Sequence, residues 1–483
     1  MSQRFPAPVR THERFSWLVG ATAIGAYLLV AVGATTAVTD AGTACSTWPA
    51  CSGGPGAAAA DPALAIAWGH RIAAALVGAG VVASAVAALL GDVRDRTLAA
   101  LLTAAALYPM QVVIGALAAT ASLGPVLSGI HLVIGLVIFV AALAALTWAL
   151  EADTATPEGR EPIAGPDPEP ADEPAPAASD SDETFVVPDG GLARAKLVAK
   201  AYLSLTKPRL MWLLCLVAAA AMALAAATVG SPLTPRAVAA TMVGGVLSIG
   251  ASGTFNHVLE RDIDRRMNRT SDRPLAVDLV SVRNAVVFGL VLAAGSLAAF
   301  ATLNLLAAVL GLVAILFYSV VYTLMLKPNT VQNTVIGGAA GALPALIGWV
   351  AVTGEVGLAG VVLAGVIFLW TPAHFYNLAL AYKDDYARGG FPMMPVVRGE
   401  VVTRRHICWY FGATLVGAAA LSAVANLGPL YAAVTALVGA VFLWAIVRLH
   451  RERTEAAAFR AFHASNAFLG ALLVTVVVDA LVI

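Results

Sequence analysis

The sequence predicts an all-α membrane protein that crosses the bilayer many times. Hydrophobic residues make up 59% of the 483 residues and charged residues 12%, whereas a soluble domain has about 25% charged residues. Mean hydropathy is +0.83. Apolar runs of about 20 residues, the length of a helix that crosses a hydrocarbon core of about 30 Å, recur along the chain. These features exclude a water-soluble enzyme and a protein that binds nucleic acid.

The apolar runs predict about 13 transmembrane helices in two groups, a four-helix amino-terminal bundle and a nine-helix bundle. The first four spans are expected at Trp17–Val38, Ala63–Leu90, Leu98–Ala121 and Gly124–Leu150. The other nine are expected at Leu210–Ala227, Val238–His257, Ala285–Leu303, Ala307–Leu326, Val335–Val352, Leu358–Tyr382, Trp409–Ala425, Leu430–Val447 and Ala464–Ile483.

A polar segment separates the two groups. Residues Glu151–Gly191 include 12 acidic residues, 8 prolines and one basic residue, Arg160, a composition typical of a disordered linker. We therefore expect a membrane domain over residues 1–150, a linker over 151–193 and a second membrane domain over 194–483.

The distribution of Lys and Arg predicts the orientation in the cell membrane. Basic residues collect on the cytoplasmic side of membrane proteins, and the loop at 39–62 contains neither Lys nor Arg. Placing this loop outside puts the amino terminus and the linker in the cytoplasm. With 13 spans, the carboxyl terminus then lies outside.

The densest polar cluster follows the sixth span. Asn256, Glu260 and Asp264 are spaced four apart, so on a helix they line one face. Three oxygen ligands of this kind suit Mg²⁺, which binds carboxylates together with substrate phosphates. Arg269 and Arg273 can then hold phosphate oxygens. The alternative is a solvated loop that obeys the positive-inside rule, but that rule gives no reason for acidic residues at this spacing.

A second cluster lies at the cytoplasmic end of the tenth span. His374 and Asn377 are inside an apolar run, where polar side chains usually line a cavity, and Lys383 and Asp385 follow at its end. Two acidic clusters on the same side of a bundle are suited to holding a diphosphate through magnesium. The alternative is a helix kinked at Pro372 whose polar groups are satisfied locally.

The amino-terminal domain carries a histidine pair at matched depth. His70 and His131 each lie about seven residues inside the outer end of a predicted span. Two imidazoles facing each other across a four-helix bundle can ligate heme iron; the alternative is two histidines in separate polar niches. Cys45 and Cys51 lie in the outer loop, where such a pair can form a disulfide.

The second domain resembles the intramembrane prenyltransferases, and within them the heme O synthases, which are protoheme IX farnesyltransferases. The resemblance covers about Tyr202–Ile483. It rests on an ordered series of motifs: Thr206-Lys207-Pro208-Arg209, Asn256 through Asp264, Met267-Asn268-Arg269-Thr270, Tyr322-Thr323, Leu326-Lys327-Pro328, Gly341-Ala342-Leu343-Pro344, Trp370 to Phe375, and Asp385-Tyr386 to Pro395. Glu260 stands where that family usually has Asp, and His257 where it commonly has a second Asn.

The resemblance implies a reaction and roles for the residues. A farnesyl group passes from farnesyl diphosphate to a vinyl group of protoheme IX with addition of water, giving heme O and diphosphate in heme O and heme A biosynthesis for terminal oxidases. Mg²⁺ is expected on Asn256, Glu260, Asp264 and Asp385. Lys383 is expected as a further catalytic residue that shares the charge of the leaving diphosphate. Substrate contacts are expected from Arg269, Arg273, Lys207, Arg209, Tyr318, Tyr322 and Phe375, with His374 positioning or ligating the heme.

The first domain resembles one half of a heme A synthase, the enzyme that oxidises heme O. That resemblance implies heme on His70 and His131 and a functional association with heme A synthase. The family's catalytic Glu, three residues before the first histidine, is replaced here by Ala67. Heme binding or delivery is therefore expected, rather than oxidation.

Two other functions compete with this interpretation. A prenyltransferase that acts on a lipid or quinone precursor shares the magnesium site but gives no reason for the histidine-bearing domain. A b-type heme-binding electron carrier or heme transporter explains the histidines but leaves both polar clusters unused.

Overall fold

A computed structural model describes residues 9–38, 41–42, 44–45, 47–51, 61–120, 124–154 and 191–482. The first domain contains α1 (Val9–Val38), α2 (Pro62–Leu90), α3 (Asp95–Thr120) and α4 (Gly124–Thr154). The second contains α5 (Gly191–Leu205), α6 (Pro208–Val229), α7 (Pro235–Leu259), α8 (Arg261–Asp264), α9 (Val282–Ala301), α10 (Leu305–Leu316), a π-helix (Phe317–Leu326), α11 (Asn333–Thr353), α12 (Leu358–Ala381), α13 (Lys383–Arg388), α14 (Met394–Val397), α15 (Gly399–Ala425), α16 (Pro429–Glu452) and α17 (Glu455–Val482).

Within the described residues, 13 helices are long and apolar enough to span a membrane, which confirms the predicted all-α multi-pass fold. The largest error in the predicted bounds is at α15, which begins at Gly399 instead of Trp409. Its first turns carry charged side chains, so hydropathy alone placed the start too late. Most of the predicted linker, residues 155–190, lies outside the described residues.

The helix ends follow from local sequence. Asp61, Thr234, Ser281 and Asn304 each accept hydrogen bonds from backbone N–H groups of the helix that follows. Such side chains satisfy donors that a helix leaves unpaired at its start. Proline occupies the first helical position of α2, α6, α7 and α16, where its missing N–H costs nothing.

The second domain forms a closed arrangement of helices around a polar end. Helix α12 packs against α11, α15 and α17, while α17 also packs against α16 and returns to α6. The end of this bundle that carries Glu260 and Asp385 is called the site end below. It receives the carboxyl ends of α7 and α12, together with α8 and α13, so side chains distant in sequence meet there.

The four-helix bundle packs directly on the second domain. Helices α1 and α4 contact α15 and α16, and one hydrophobic core contains residues of both domains, including Val19, Leu143 and Phe411. Glu151, at the end of α4, forms ion pairs with Arg96 of α3 at 2.5 Å and Arg405 of α15 at 3.2 Å. An apolar seam and a charged junction therefore join the domains.

Candidate functional site

The segment around Glu260 interrupts the helix that carries the first polar cluster. Helix α7 ends at Leu259, Glu260 has φ −96° and ψ 3°, and the short helix α8 begins at Arg261. Backbone hydrogen bonds still join Glu260 N to Asn256 O at 2.9 Å and Asp264 N to Glu260 O at 2.8 Å, so the four-residue spacing is kept across this break. All three side chains are buried, at 2%, 3% and 1% exposure.

Each of these three residues contacts a basic side chain. The Lys207 ammonium donates a hydrogen bond to Asn256 Oδ1. Lys327 Nζ lies 2.6 Å from Glu260 Oε1, and Arg273 Nη1 lies 2.7 Å from Asp264 Oδ2. Sequence reasoning placed Arg273 in the site as an anion-binding residue, whereas the structure pairs it with Asp264.

The surrounding charges determine the protonation of the two buried carboxyls. Burial raises the pKa of Glu260, but the positive charges of Lys327 and Lys207 outweigh this effect and hold the pKa below its usual value. For Asp264, burial outweighs the effect of Arg273 and raises the pKa above its usual value. Glu260 is thus the more firmly ionised of the two.

Lys207 lies at the turn that opens α6. Its backbone has φ 55° and ψ 56°, a left-handed conformation that is uncommon outside glycine. Gly253 permits this turn, because a Cβ there would lie 2.8 Å from the Leu205 carbonyl oxygen and 3.2 Å from Lys207 Cγ. Burial lowers the pKa of Lys207 to about 7, while the charge of Glu260 opposes that shift.

The π-helix places aromatic and hydroxyl groups beside Lys207 and Asn256. Tyr318 OH lies 3.2 Å from Lys207 Nζ, and Asn256 Nδ2 donates to Thr323 Oγ1 at 3.2 Å. The Tyr322 ring packs against Gly337, where a Cβ would collide with it. Wide helical turns of this kind occur frequently at functional sites, and here the π-helix brings Tyr318 and Thr323 to Lys207 and Asn256.

Asp385 joins the two predicted clusters. Its Oδ1 and Oδ2 each lie 3.2 Å from a backbone nitrogen, those of Asn268 and Arg269, and its Oδ1 also accepts from Arg388. These hydrogen bonds lower its pKa by more than burial raises it. The two clusters are therefore adjacent, as predicted. Both oxygens of Asp385 thus anchor the loop after α8, and its role as a metal ligand remains a prediction.

The carboxylates do not form a ready-made metal cage. In the part of the chain that the structure describes, no group of three or more His, Cys, Asp or Glu side chains is close enough to hold a metal ion. Asn256, Glu260 and Asp264 supply oxygen ligands suited to Mg²⁺, which commonly uses one or two carboxylates together with substrate phosphates. The residues therefore fit a Mg²⁺ ion that is held partly by these side chains and partly by substrate phosphates.

Arg269 is positioned to receive an anion. Its guanidinium lies over the rings of Tyr382 and Tyr386, 4.6 Å and 5.2 Å from their centroids. Its buried Nε has no hydrogen-bond partner among the described residues. An unpaired buried donor is costly, so Arg269 is the strongest candidate in this site for a contact with substrate.

Lys383 and Arg209 contact neither Glu260 nor Asp264 among the described residues. Lys383 Nζ is 3.3 Å from Glu400 Oε1, and both side chains line a polar cavity of about 400 Å³ that Asp385 and Arg388 also line. Lys383 thus lies beside Asp385, and its role at the diphosphate remains a prediction. Arg209 is exposed at the start of α6.

An apolar cavity runs from the polar site into the bundle. Lys207 and Tyr318 line one part of its wall. Side chains from α6, α7, α10 and α11 line most of the rest, including Leu214, Met242, Ile249, Ala314 and Ile347. Phe300 of α9 also lines it, packed against Gly244 and Gly311. The cavity, of about 90 Å³, presents an apolar wall directly beside Lys207 and Tyr318.

His374 lies between two aromatic rings of the second domain. Its ring centroid is 4.3 Å from that of Trp370 and 4.4 Å from that of Phe462, and Nδ1 is 2.6 Å from Ser465 Oγ. Phe375, the predicted neighbour of a reactive cation, instead packs on the small core formed by Met267, Tyr386 and Phe391.

The amino-terminal histidines lie near the end of their bundle opposite the site end. His70 is in the third turn of α2 and His131 is in the second or third turn of α4. They are close enough to influence each other electrostatically. Glycines leave room for both rings, since a Cβ at Gly33 would lie 3.3 Å from His70 and one at Gly115 would lie 2.7 Å from His131.

Both rings retain an unused nitrogen. The Nδ1 atoms of His70 and His131 are buried without hydrogen-bond partners in the described structure. His131 Nε2 lies 3.3 Å from Gln111 Nε2. Buried polar atoms are usually paired, so two orphaned imidazole nitrogens at one level of a bundle mark a place for a ligand.

The outer loop is fixed beside this pair. Cys45 and Cys51 are joined by a disulfide with a Cα–Cα distance of 5.1 Å. Arg71 donates to the carbonyl oxygens of Cys45 and Thr47 at 3.0 Å and 2.7 Å. Ala67 is buried against the two cysteines, so an apolar contact occupies the position where a heme A synthase has its catalytic Glu.

Sequence reasoning assigned no role to several residues of the site. Lys327 and Thr323 contact Glu260 and Asn256, respectively, and Tyr386 lies beside Arg269. All three belong to motifs that carry the family resemblance, so a signal was present. Their partners could not be identified, because each contact joins segments that are far apart in sequence.

The fold and the site define a multi-pass membrane enzyme whose buried acidic and basic groups lie beside an apolar cavity, the arrangement expected of an intramembrane prenyltransferase. Residues 213–472 match the model of the UbiA prenyltransferase family, and the chain belongs to this family. Residues 16–166 match a second family, COX15-CtaA, described as cytochrome oxidase assembly protein.

Relatives match along almost the whole chain. A protein from Haloarcula marismortui named protoheme IX farnesyltransferase is 60% identical, over 97% of this chain and 98% of its own length. Protoheme IX farnesyltransferase 1 of Natronomonas pharaonis is 59% identical, over 97% and 99%. A solved digeranylgeranylglyceryl phosphate synthase is 16% identical with a TM-score of 0.49, over 59% of this chain and 99% of that one.

Proposed function

We propose that this protein transfers a farnesyl group from farnesyl diphosphate to a vinyl group of protoheme IX, with addition of water, to give heme O and diphosphate. The observation that carries the proposal is the buried cluster of Asn256, Glu260 and Asp264, each paired with a basic residue beside an apolar cavity. Relatives named protoheme IX farnesyltransferase support this choice of donor and acceptor.

The paired charges suit a site that exchanges protein contacts for diphosphate contacts. Arg273 and Lys327 are held by Asp264 and Glu260 until substrate arrives. If Mg²⁺ occupies these carboxylates and Asn256, the released basic side chains can face the phosphate oxygens, together with Arg269. Bound Mg²⁺ would supply charge stabilisation for the leaving diphosphate.

The cavity supports the proposal through its apolar lining. We place the first carbon of the farnesyl chain near Tyr318 and Lys207, which line the polar end of this cavity. The Tyr318 and Tyr322 rings, 5.5 Å apart, present electron-rich faces that stabilise an allylic cation by cation–π attraction. Removal of water from this region protects that cation until the vinyl group attacks it.

His374 is the proposed contact with the acceptor, and His70 and His131 are the proposed ligands of a second heme. The orphaned nitrogens of the amino-terminal pair support heme binding, while the buried Ala67 leaves no carboxylate for oxidation. We propose that the first domain holds or delivers heme, and that a separate heme A synthase uses the product.

We also propose the division and orientation expected from the sequence: membrane domains over residues 1–150 and 194–483, a linker over 151–193, the amino terminus and linker in the cytoplasm, and the carboxyl terminus outside the cell membrane. The site end would then face the cytoplasm, where farnesyl diphosphate is available. Accessibility of single added cysteines in sealed vesicles, at the linker and after residue 483, tests this orientation.

The direct experiment uses the purified full chain with Mg²⁺ and farnesyl diphosphate. We expect diphosphate release and a heme product enlarged by a hydroxyethylfarnesyl group when protoheme IX is supplied. A hydroxybenzoate acceptor distinguishes the quinone-type alternative. Transfer to that acceptor without transfer to protoheme would contradict the proposed function, as would heme binding without any diphosphate release.

A further inference from the structure

The ring of His374 is held in one plane by its neighbours. Trp370 stacks on one face with an interplanar angle of 16°, and Phe462 stacks on the other with an angle of 29°. Trp370 Nε1 donates to the backbone carbonyl oxygen of Ser465 at 3.1 Å. The imidazole therefore cannot tilt without disturbing its stack on Trp370 within α12 and its stack on Phe462 of α17.

The hydrogen bonds of Ser465 fix the tautomer of this ring. Ser465 Oγ donates to the Phe462 carbonyl oxygen at 2.7 Å. A hydroxyl has one proton to donate, and with that proton directed to Phe462 the serine oxygen is the acceptor in its 2.6 Å contact with His374 Nδ1. His374 therefore carries its proton on Nδ1, and Nε2 has a free lone pair.

The free nitrogen has no other use within the described structure. No described residue makes a hydrogen bond with His374 Nε2, whereas Nδ1 is fully engaged. Histidines that bind a metal through one nitrogen usually donate the other N–H to an oxygen atom, which sets both tautomer and orientation. Ser465 and His374 form this arrangement before any ligand is present.

We propose that Ser465 is a positioning residue that directs the Nε2 lone pair of His374 to the iron of the porphyrin acceptor. The inference rests on the proposed function, which supplies an iron porphyrin as substrate. It adds a partner on α17 to the predicted role of His374 and explains why a neutral, rigid imidazole lies in an apolar bundle.

The test compares full-length variants in a His70→Ala, His131→Ala background, so that heme on the first domain does not contribute. Ser465→Ala removes the acceptor of the Nδ1 proton, and Ser465→Thr restores a hydroxyl. Thr475→Val is the matched control, because Thr475 is a buried hydroxyl of α17 that donates at 2.7 Å to the Ala471 carbonyl oxygen.

We expect Ser465→Ala to weaken protoheme binding about 10-fold, the lower end of the effect of removing such a partner. The KM for farnesyl diphosphate should stay within about twofold, and Thr475→Val should match the parent. In the ferrous protoheme complex, the iron–histidine stretching frequency should shift in Ser465→Ala and return towards the parent value in Ser465→Thr.

Protoheme is first titrated without farnesyl diphosphate, which separates this inference from the proposed reaction. Equal protoheme affinity and equal stretching frequency in the parent and Ser465→Ala would overturn the role of Ser465. Absence of product with normal, His374-dependent protoheme binding would instead contradict the proposed reaction and leave the positioning role intact.

Discussion

The two membrane domains differ in whether their buried polar groups have partners. At the site end of the second domain, Glu260 and Asp264 have basic partners within 2.8 Å. In the first domain, His70 and His131 keep buried Nδ1 atoms without partners among the described residues. The paired carboxylates can stay folded without substrate and then exchange their contacts, whereas the orphaned imidazole nitrogens cost free energy that a bound ligand would recover.

The largest effect is expected from a substitution at the site end of the second domain. Replacing Asp264 with Asn should lower farnesyl transfer by at least about 100-fold, because loss of one group that stabilises a leaving anion has effects of this size. Diphosphate release at limiting Mg²⁺ measures it. Asp262→Asn is the matched control, since that carboxylate is two residues away and 74% exposed, and it should remain near the wild-type rate. Equal rates in the two variants would disprove the proposed metal face.

The next prediction separates the two regions. His70→Ala or His131→Ala should abolish a low-spin bis-imidazole heme spectrum in the purified protein, since each ring would supply one axial ligand. Farnesyl transfer should remain within about twofold, because both rings are at the opposite end of the bundle. Replacement of the exposed His463 with Ala should leave the spectrum unchanged. Persistence of the low-spin spectrum in both single variants would contradict the proposed ligands.

The sequence predicted the thirteen spans well because hydropathy over about 20 residues reports the bilayer directly. It also placed Asn256, Glu260 and Asp264 at a span end. It could not predict the break at Glu260, since the pattern of four-residue spacing is the same for a continuous helix. The π-helix was missed for a similar reason, because hydropathy carries no signature of its wider turn.

The sequence predicted which residues belong to the polar site better than it predicted which of them contact each other. Lys207 precedes α6, Lys327 follows the π-helix and Arg273 lies in a loop, and their acidic or amide partners lie in other segments. Composition supplied the residue types, but packing of three elements decided which side chains met. The same packing pairs Lys383 with Glu400, in a cavity that Asp385 also lines.

A third prediction concerns the stability of the compensated pair. Lys327→Met leaves the buried Glu260 without its partner and should lower the free energy of unfolding by about 3–5 kcal/mol. Thermal unfolding in detergent measures this loss. Lys383→Met is the control, because its ion pair with Glu400 is well exposed and should contribute at most about 1 kcal/mol.

The double variant Lys327→Met, Glu260→Met sharpens that result. It removes both charges and should recover much of the lost stability, as buried ion pairs replaced by apolar residues often do. Farnesyl transfer should be lost, because Glu260 is a proposed ligand of Mg²⁺. If stability does not recover, the cost of Lys327→Met arises from packing against Phe391, whose ring centroid is 4.3 Å from the ammonium nitrogen. The ion pair of Lys327 with Glu260 would then not be the source of the lost free energy of unfolding.

The smallest expected effect lies where the two domains meet. Glu151 is 6% exposed and pairs with Arg96 and Arg405, which are 40% and 32% exposed. Glu151→Gln keeps the shape but removes the charge, and partial exposure of both arginines limits the loss to about 1 kcal/mol. We expect a small fall in the unfolding temperature, with heme spectrum and farnesyl transfer both unchanged at 25 °C.

Glu452 supplies the matched comparison, since it pairs with Arg448 and Arg460 inside the second domain. Glu452→Gln should lower stability by a similar amount while the two domains still unfold together. Glu151→Gln should instead separate loss of the heme spectrum from loss of transfer activity on heating, because it weakens a contact between the domains. Their shared apolar core would keep that separation to a few degrees. Coincident transitions in both variants would mean that the core alone couples the domains and that the Glu151 junction adds nothing to it.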